Sequence, residues 1–231
     1  MALTGRIIAI VGRLGVYPMV RLPLPARRIL AYLALRGSPI ARAVASAELW
    51  PDSPEDVGRA NLRRAIWNTP AGWIASRDQE LVLDAATDLS EAEAAAAKAI
   101  GGAELQLEEI KLLSNDILPG WHDEWVIVHQ ERFHLLRVQA LESACRTMTA
   151  SGHLALATQA GAAALAAEPL RESAAEALIE AHLAQSNRYE AMRCFRSLAK
   201  RLEVELGVAP HQSLVERLSD CSAGSAASLI H

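Results

Sequence analysis

The segment Asp56–Asn68, which reads DVGRANLRRAIWN, decides how the first third of the chain folds. Its core-facing positions recur at i, i+3, i+4 and i+7 and therefore line one face of a helix, namely Leu62, Ala65, Ile66 and Thr69. The opposite face is basic and polar and carries Ala60, Arg63, Arg64, Trp67 and Asn68. The spacing predicts an amphipathic helix that packs on a core and presents two arginines outward.

Shorter helices and strands surround this segment. Helical spacing of apolar residues begins at Ala26 and ends before Gly37, and a second short helix fits Ala41–Leu49. The runs IIAIV, from Ile7, and VYPMVRL, from Val16, are typical of short extended segments. Downstream, the runs WIAS and ELVLD flank RDQ, which indicates a hairpin. Short strands, three helices and a terminal hairpin predict a winged helix, in which the third helix enters the major groove of DNA.

Charge is distributed unevenly along the chain, although the net charge is only −4. Residues 1–77 contain 11 Arg and no Lys against four acidic residues, which gives a net charge of +7. Residues 78–231 carry a net charge of −11. A basic segment is the electrostatic footprint of nucleic-acid binding, and the contrast predicts two domains with different partners.

Several side chains of the basic part are candidates for DNA contacts. Arg63, Arg64 and Asn68 share the outer helix face and have the chemistry to bind guanine, adenine or phosphate. Trp67 could pack under the hairpin or touch DNA, and Arg59, at the margin of the core face, could serve the core or the DNA. Both alternatives stay open. The remaining candidates are Arg77 of the hairpin and, as phosphate contacts on or beside the first helix, Arg27, Arg28 and Arg36.

After the hairpin, the acidic part of the chain is predicted to be helical. An Ala/Glu-rich helix is predicted within residues 85–103 and ends at Gly101-Gly102. A long helix follows the Pro119-Gly120 turn, with an apolar stripe at Trp125, Val128, Phe133, Leu136, Ala140 and Ala144. Further breaks between helices are indicated at Gly152, at Glu168-Pro169, at 185–187 and in the run ELGVAP.

A spacing of 34 residues recurs in this helical part. It relates Ala157 to Ala191, and Phe195 lies four residues beyond Ala191. Helix–turn–helix units of this length are the tetratricopeptide signature, although Gly161 stands at the aromatic position of the first unit. The pattern predicts stacked helix pairs with a surface for a peptide or another protein.

Catalytic, metal and membrane functions find no support in the sequence. Phosphate-binding, dinucleotide, zinc-protease and nucleophile-elbow motifs do not occur, so we expect no enzyme, no cofactor and no metal site. His122, Asp123 and Glu124 are consecutive and would point in different directions on a helix, which favours an acidic helix start over a metal cluster. No run approaches the roughly 18 apolar residues of a membrane span.

The cysteines indicate a reducing compartment. Cys145, Cys194 and Cys221 are widely spaced and odd in number, which argues against a disulfide scaffold or a zinc module. We interpret them as small buried hydrophobic residues and expect a cytoplasmic protein.

Several stretches of the chain resemble a known family. RRILAYLALRG, ELWPD and RANLRRAIW are similar to the DNA-binding domain of the Streptomyces antibiotic regulatory protein (SARP) family. ILPGWHDEWVIVHQERF, AAEPLRESAAEALIEAHLAQSNRYEAMRCFRSL and KRLEVELGVAP are similar to the bacterial transcriptional activator domain of that family. The resemblance extends from about Ile7 to Leu218.

The resemblance implies a mainly α-helical transcriptional activator with an OmpR-type winged helix and a tetratricopeptide-like domain. The recognition helix would be 59–68, and the polymerase-contacting loop would be 50–56, with Trp50, Asp52, Glu55 and Asp56 as its contact residues. Domain boundaries are expected at 1–86 for the winged helix, 87–222 for the activator domain and 223–231 for a flexible tail. Expected partners are double-stranded promoter DNA, RNA polymerase and a second copy of the chain, at least on DNA.

Some details of the family pattern differ in this sequence. The recognition helix runs into Asn68-Thr69-Pro70, and Ala41 stands where a better capping residue is expected. An adaptor whose winged helix no longer reads DNA is therefore kept as the alternative function. An effector on the helical domain, a small molecule or a protein, is also left open, and association with the nucleoid is expected of an activator.

Overall fold

A computed structural model of the chain describes residues 5–212 and 214–217. Contacts divide the chain into a first unit, Met1–Ala94 with Asn115–Leu135, and a second unit, Ala95–Ser114 with Leu136–His231. The expected boundary between residues 86 and 87 is not the line of this division, and it stays a prediction. Cys221, Leu218 and the expected tail 223–231 lie outside the described residues.

The first unit contains two small sheets and three short helices. Its elements, in order, are β1 (Ile7–Ala9), β2 (Gly15–Tyr17), α1 (Leu24–Arg36), β3 (Ile40–Ala41), α2 (Arg42–Leu49), α3 (Glu55–Trp67), β4 (Ile74–Arg77), β5 (Glu80–Leu83) and β6 (Ala86–Thr87). One sheet has the order β2-β1-β6 and the other β3-β5-β4. Strand β1 is antiparallel to β2, pairing Ile8 with Val16, and parallel to β6. The predicted fold class, a winged helix followed by a helical domain, is confirmed.

The core of the first unit confirms the face assignment of the segment that decides the fold. Leu62 and Ala65 of α3 are buried, and Ile66 packs partly buried beside them. Their partners in the cluster are Ile29, Tyr32, Leu33, Ile40, Ala45, Leu49 and Leu81. Burying such a cluster stabilises the unit, at about 1.5–3 kcal/mol for each large aliphatic side chain. Helix α3 is therefore fixed by one face only.

Local signals set the ends of the helices. Helix α1 begins beside Pro23 and Pro25 and ends at Gly37, whose φ of 63° is the left-handed conformation predicted for that stop. Helix α2 begins after Ala41, which offers no side-chain cap. The Arg42 backbone N–H instead donates to the Gln79 carbonyl at 3.0 Å, so the hairpin loop supplies the missing acceptor.

Residues 115–135 complete the first unit. They contain the start of the long helix α6 (Glu124–Ala150). The Arg28 guanidinium donates to Asp123 Oδ1 at 2.5 Å and to the Leu49 carbonyl at 3.1 Å. The Trp125 ring meets the Tyr32 ring edge-on at 5.3 Å. This segment therefore packs on α1 through one ion pair and one aromatic contact.

Helices dominate the second unit. Helix α4 (Asp88–Ile100) begins in the first unit and continues into the second, and it ends at Gly101-Gly102 as predicted. The second unit also contains the rest of α6. Its further helices are α5 (Leu107–Leu113), α7 (Leu154–Ala167), α8 (Glu172–Ala184) and α9 (Arg188–Leu206). Helices α7 and α9 begin 34 residues apart, and Ala157 and Ala191 are both buried. The predicted repeat is thus confirmed. The predicted stripe on α6 is wrong at Val128, which is 66% exposed, whereas Val126 is buried.

Close packing explains the glycine in the first repeat. A Cβ added at Gly161 would lie 2.8 Å from Cys145 Sγ and 3.1 Å from Leu178 Cβ. An aromatic side chain, such as the one at Phe195 in the second repeat, therefore has no room there. Cys145 is buried, and burial raises the pKa of its thiol to about 11, which fits its interpretation as a hydrophobic residue.

A buried carboxylate links α6 to the start of α8 in the second unit. Glu142 on α6 is 6% exposed and accepts from Arg146 Nη1 at 2.6 Å, Arg171 Nε at 2.7 Å and Ser173 Oγ at 2.9 Å. The carboxylate of Glu142 thus has three protein donors, which satisfy its hydrogen-bonding capacity although it is buried. The sequence periodicity did not reveal this cluster.

Candidate nucleic-acid interface

Helices α2 and α3 form a helix–turn–helix pair that approaches closely at one point. Gly58, in the first turns of α3, lies over Ser46 of α2, and a Cβ at Gly58 would lie 2.8 Å from Ser46 Oγ. Both residues are buried. The glycine therefore allows the contact that holds α3 against α2 while its other face stays free.

The outer face of α3 is exposed as the sequence predicts. Arg59, Arg63, Arg64, Trp67 and Asn68 are all in the exposed class. Trp67 is 88% exposed, so it does not pack under the hairpin, and the first of its two interpretations is excluded. Thr69 Oγ1 donates to the Ala65 carbonyl at 3.0 Å and ends the helix on its core side.

Two arginines on this face are available to a ligand. Arg63 and Arg64 form no ion pair within residues 5–212 and 214–217. Arg59 instead pairs with Glu55 one turn earlier, and both side chains remain more than half exposed. Because an exposed pair of this kind is worth about 0.3–0.5 kcal/mol, an anion can compete for Arg59.

The hairpin and the two helices enclose a basic cleft of about 620 Å³. Strands β4 and β5 are joined by Asp78 and Gln79, whose φ angles of 46° and 69° make a tight two-residue turn. Ser76 and Gln79 of the hairpin face Arg42, Arg59 and Arg63 across the cleft, and Ala41, Ala43 and Leu62 complete its lining.

Arg42 is a site residue that the sequence analysis missed. Its Nη2 donates to Ser76 Oγ at 3.1 Å, so the guanidinium is held between α2 and the hairpin. It occupies the first position of α2, where the helix dipole disfavours a cation and favours an anion. That unfavourable placement is a signal that could have identified it.

The other basic candidates do not share one role. Arg77 ends β4 beside the turn and is exposed, opposite Glu80 of β5. Arg27 is exposed on α1. Arg28 is half-buried, and its guanidinium is bound to Asp123 and to the Leu49 carbonyl, so it is not available for the DNA contact that the sequence predicts. Arg36 is likewise held internally, by Glu48 and over the Tyr32 ring.

The expected polymerase-contacting loop connects α2 to α3. Trp50 is half-buried and packs against the core, whereas Asp52 is exposed. Glu55 and Asp56 lie exposed in the first turn of α3, where acidic residues also stabilise a helix N-terminus. The acidity of the loop therefore has a structural cause, and its contact with polymerase stays a prediction.

Within the described residues, no group of three or more His, Cys, Asp or Glu side chains is placed to hold a metal ion. Asp123, from the acidic run 122–124, is instead the partner of Arg28. None of the helices in the described part of the chain has the length and apolar character needed to span a bilayer.

Comparison with known proteins identifies the helical part. Residues 113–219 match the family described as bacterial transcriptional activator domain. Residues 113–219 therefore carry a bacterial transcriptional activator domain. The resemblance predicted for this part of the chain is thereby confirmed. No curated protein sequence matches this chain.

The fold of the chain is also found in a solved structure. It is similar to a structure of EmbR from Mycobacterium tuberculosis in complex with a low-affinity phosphopeptide, with a TM-score of 0.64 and 21% sequence identity. The match covers 93% of this chain and 64% of the EmbR chain. At that identity the likeness establishes the shared architecture of the two chains.

Proposed function

We propose that this chain is a SARP-type regulator, a sequence-specific transcriptional activator that binds promoter DNA through its winged helix. The observation that carries the proposal is the exposed face of α3, where Arg63 and Arg64 have no acidic partner in the described structure. Helix α3 is anchored by its other face, so it can enter a major groove without losing core contacts. Arg59, Trp67, Asn68 and Arg77 extend the surface, and Arg27 adds a peripheral phosphate contact.

The cleft beside α3 supports the same proposal. Arg42, Arg59 and Arg63 converge on it, together with the polar groups of Ser76 and Gln79. Guanidinium groups around a groove-sized opening are suited to phosphate oxygens of a DNA backbone. The hairpin would then lie along the backbone next to the groove that α3 occupies.

Recruitment of RNA polymerase is the second part of the proposal. The exposed carboxylates of Asp52, Glu55 and Asp56 would bind a basic surface of the polymerase, with Trp50 fixing the loop to the core. The activator domain would supply dimer or effector contacts, and binding to repeated promoter sites would bring two copies together. We further propose that the regulator acts by binding rather than by catalysis, in the cytoplasm at the nucleoid.

Selection from a random library tests the DNA-binding part. The full chain is incubated with a library of random 30-base-pair duplexes, and bound sequences are amplified over several rounds. Fluorescence anisotropy then compares the enriched duplex with a scrambled one at several KCl concentrations. We expect about 10³-fold tighter binding to the enriched duplex and a negative salt slope.

Substitutions identify the surface that is responsible. Arg63→Ala with Arg64→Ala should reduce the preference by about ten- to a hundredfold, whereas Lys200→Ala with Arg201→Ala, a matched exposed pair on α9, should leave it unchanged. Absence of any enriched sequence would contradict the proposal and favour the adaptor. Transcription from a template carrying the enriched repeat then tests recruitment: Asp52→Ala with Asp56→Ala should retain DNA binding and lose activation.

A further inference from the structure

Trp67 is the most exposed large hydrophobic side chain in the described part of the chain, at 88%. It is the last residue of α3 and lies one turn after Arg63 and Arg64. Side chains on a helix lean toward its N-terminus, so the indole lies on the same exposed face as the two guanidinium groups. We infer that Trp67 is a specificity-determining residue that contacts thymine in the major groove, an inference that rests on the proposed DNA binding.

The surroundings of Trp67 favour DNA over an apolar protein surface. A neutral partner that covered the indole would also have to desolvate Arg63 and Arg64 without pairing them, which is costly. A polyanion satisfies both guanidinium groups and brings the indole against its own surface. Charge complementarity therefore selects nucleic acid as the occupant of this face.

The chemistry of the indole selects thymine among the four bases. In the major groove, thymine presents its O4 acceptor next to its C5 methyl group. Trp67 offers one N–H donor and a large apolar ring, and it has no acceptor for the amino groups of adenine or cytosine. Guanine presents two acceptors and no apolar group. Thymine is therefore the base whose edge matches both parts of the side chain.

Replacing thymine by deoxyuridine tests this inference because the change removes only the methyl group. The random-library selection is run with the wild type and with Trp67→Ala. Each thymine of the duplex that the wild-type protein enriches is then replaced by deoxyuridine in turn. We expect a thymine position that is enriched by the wild type and not by the variant. Deoxyuridine there should weaken wild-type binding about fourfold per methyl group and leave the variant unchanged.

Controls separate this contact from other roles of the residue. Trp67→Phe keeps an apolar ring and should retain the methyl effect, and Tyr189→Ala, which removes an exposed aromatic ring from α9, should change nothing. Thermal unfolding should be unaffected by Trp67→Ala because the ring is in solvent.

Two results would overturn the inference. One is a wild type that tolerates deoxyuridine at every enriched thymine. The other is a Trp67→Ala variant that loses affinity equally for thymine and deoxyuridine duplexes, which would assign the methyl contact to another side chain. If the wild type enriched no sequence at all, the proposed DNA binding would fail together with the inference, so the two failures are distinguishable.

Discussion

Arginines in the two units of this protein are used in opposite ways. On α3 in the first unit, Arg63 and Arg64 lie in solvent with no ion pair among the described residues. In the second unit, Arg146 and Arg171 converge on Glu142, whose side chain is only 7% exposed. The first pair adds little to the stability of the fold and remains available to a ligand, while the second pair compensates a buried charge. The same residue type is thus available for binding in one unit and has a structural role in the other.

Removing the carboxylate at the centre of the structural cluster should give the largest effect. Glu142→Ala removes the carboxylate that Arg146 and Arg171 share, leaves them the weaker contacts with Ser173, and should lower the free energy of unfolding by roughly 3 kcal/mol. The estimate is at the low end for a buried pair because both arginines keep part of their side chain in water. Urea unfolding of the full chain measures the change.

A surface carboxylate provides the matched control. Glu108 pairs with Lys111 but its side chain is 80% exposed, so Glu108→Ala should change the free energy of unfolding by less than about 1 kcal/mol. Equal losses for the two variants would mean that Glu142 is not a structural anchor and that the contrast between the units is absent.

The opposite result is expected on α3. Arg63→Ala with Arg64→Ala should reduce affinity for the selected duplex by about ten- to a hundredfold, because a good contact by one arginine is worth about 1–3 kcal/mol. Urea unfolding should be unchanged, since neither side chain has a partner in the described structure. A loss of stability in this variant, together with the loss of affinity, would mean that Arg63 and Arg64 are also structural residues, which would contradict the contrast between the two units.

Two neighbours on α1 sharpen the comparison within one unit. Arg28→Ala leaves Asp123 half-buried without its partner and should lower the free energy of unfolding by about 1–2 kcal/mol. Arg27→Ala removes an exposed charge one residue earlier and should leave stability unchanged, with a small loss of DNA affinity. Thermal unfolding and anisotropy of both variants check this, and a stability loss in Arg27→Ala would contradict it.

The smallest expected effect concerns one histidine in each unit. Burial lowers the pKa of His129 and, in the second unit, the pKa of His182, so each ring binds a proton less readily in the folded chain than in the unfolded chain. The unfolded chain then binds more protons near and below pH 6.5, and stability should fall as the pH is lowered through that value.

Urea midpoints at pH 5.5 and pH 7.5 measure this dependence. His182→Gln should reduce the difference between the two midpoints, and His129→Gln should reduce it independently. A wild-type midpoint that is higher at pH 5.5 would have the wrong sign for histidines whose pKa is lowered by burial.

Much of the fold was predictable because its signals are local. The stop at Gly37 and the core face of α3 depend on spacing within a few turns of helix, and the repeat depends on a single 34-residue period; all three are confirmed. Val128 was assigned to the wrong face because Val126 is the residue that stands seven positions before the buried Phe133 and fourteen before the buried Ala140.

The site was only partly predictable because its remaining features depend on distant partners. Nothing in the sequence separates Arg27 from Arg28, since the difference arises from Asp123, which is 95 residues away along the chain. Arg42 was missed for the same reason, as its contacts are with Ser76 and Gln79 of the hairpin. The exposure of Trp67 excluded its packing under the hairpin, and exposure is a property of the folded unit.

The packing of Asp123 and Trp125 on α1 has a practical consequence for dissecting the protein. A fragment cut after residue 86, or before the activator-domain match begins at 113, would lack both side chains. It would expose Tyr32 to water, leave the half-buried Arg28 without its carboxylate, and tend to aggregate through the uncovered aromatic surface. Expression trials should therefore retain residues 115–135, and DNA-binding measurements on a shorter fragment would report on a damaged domain.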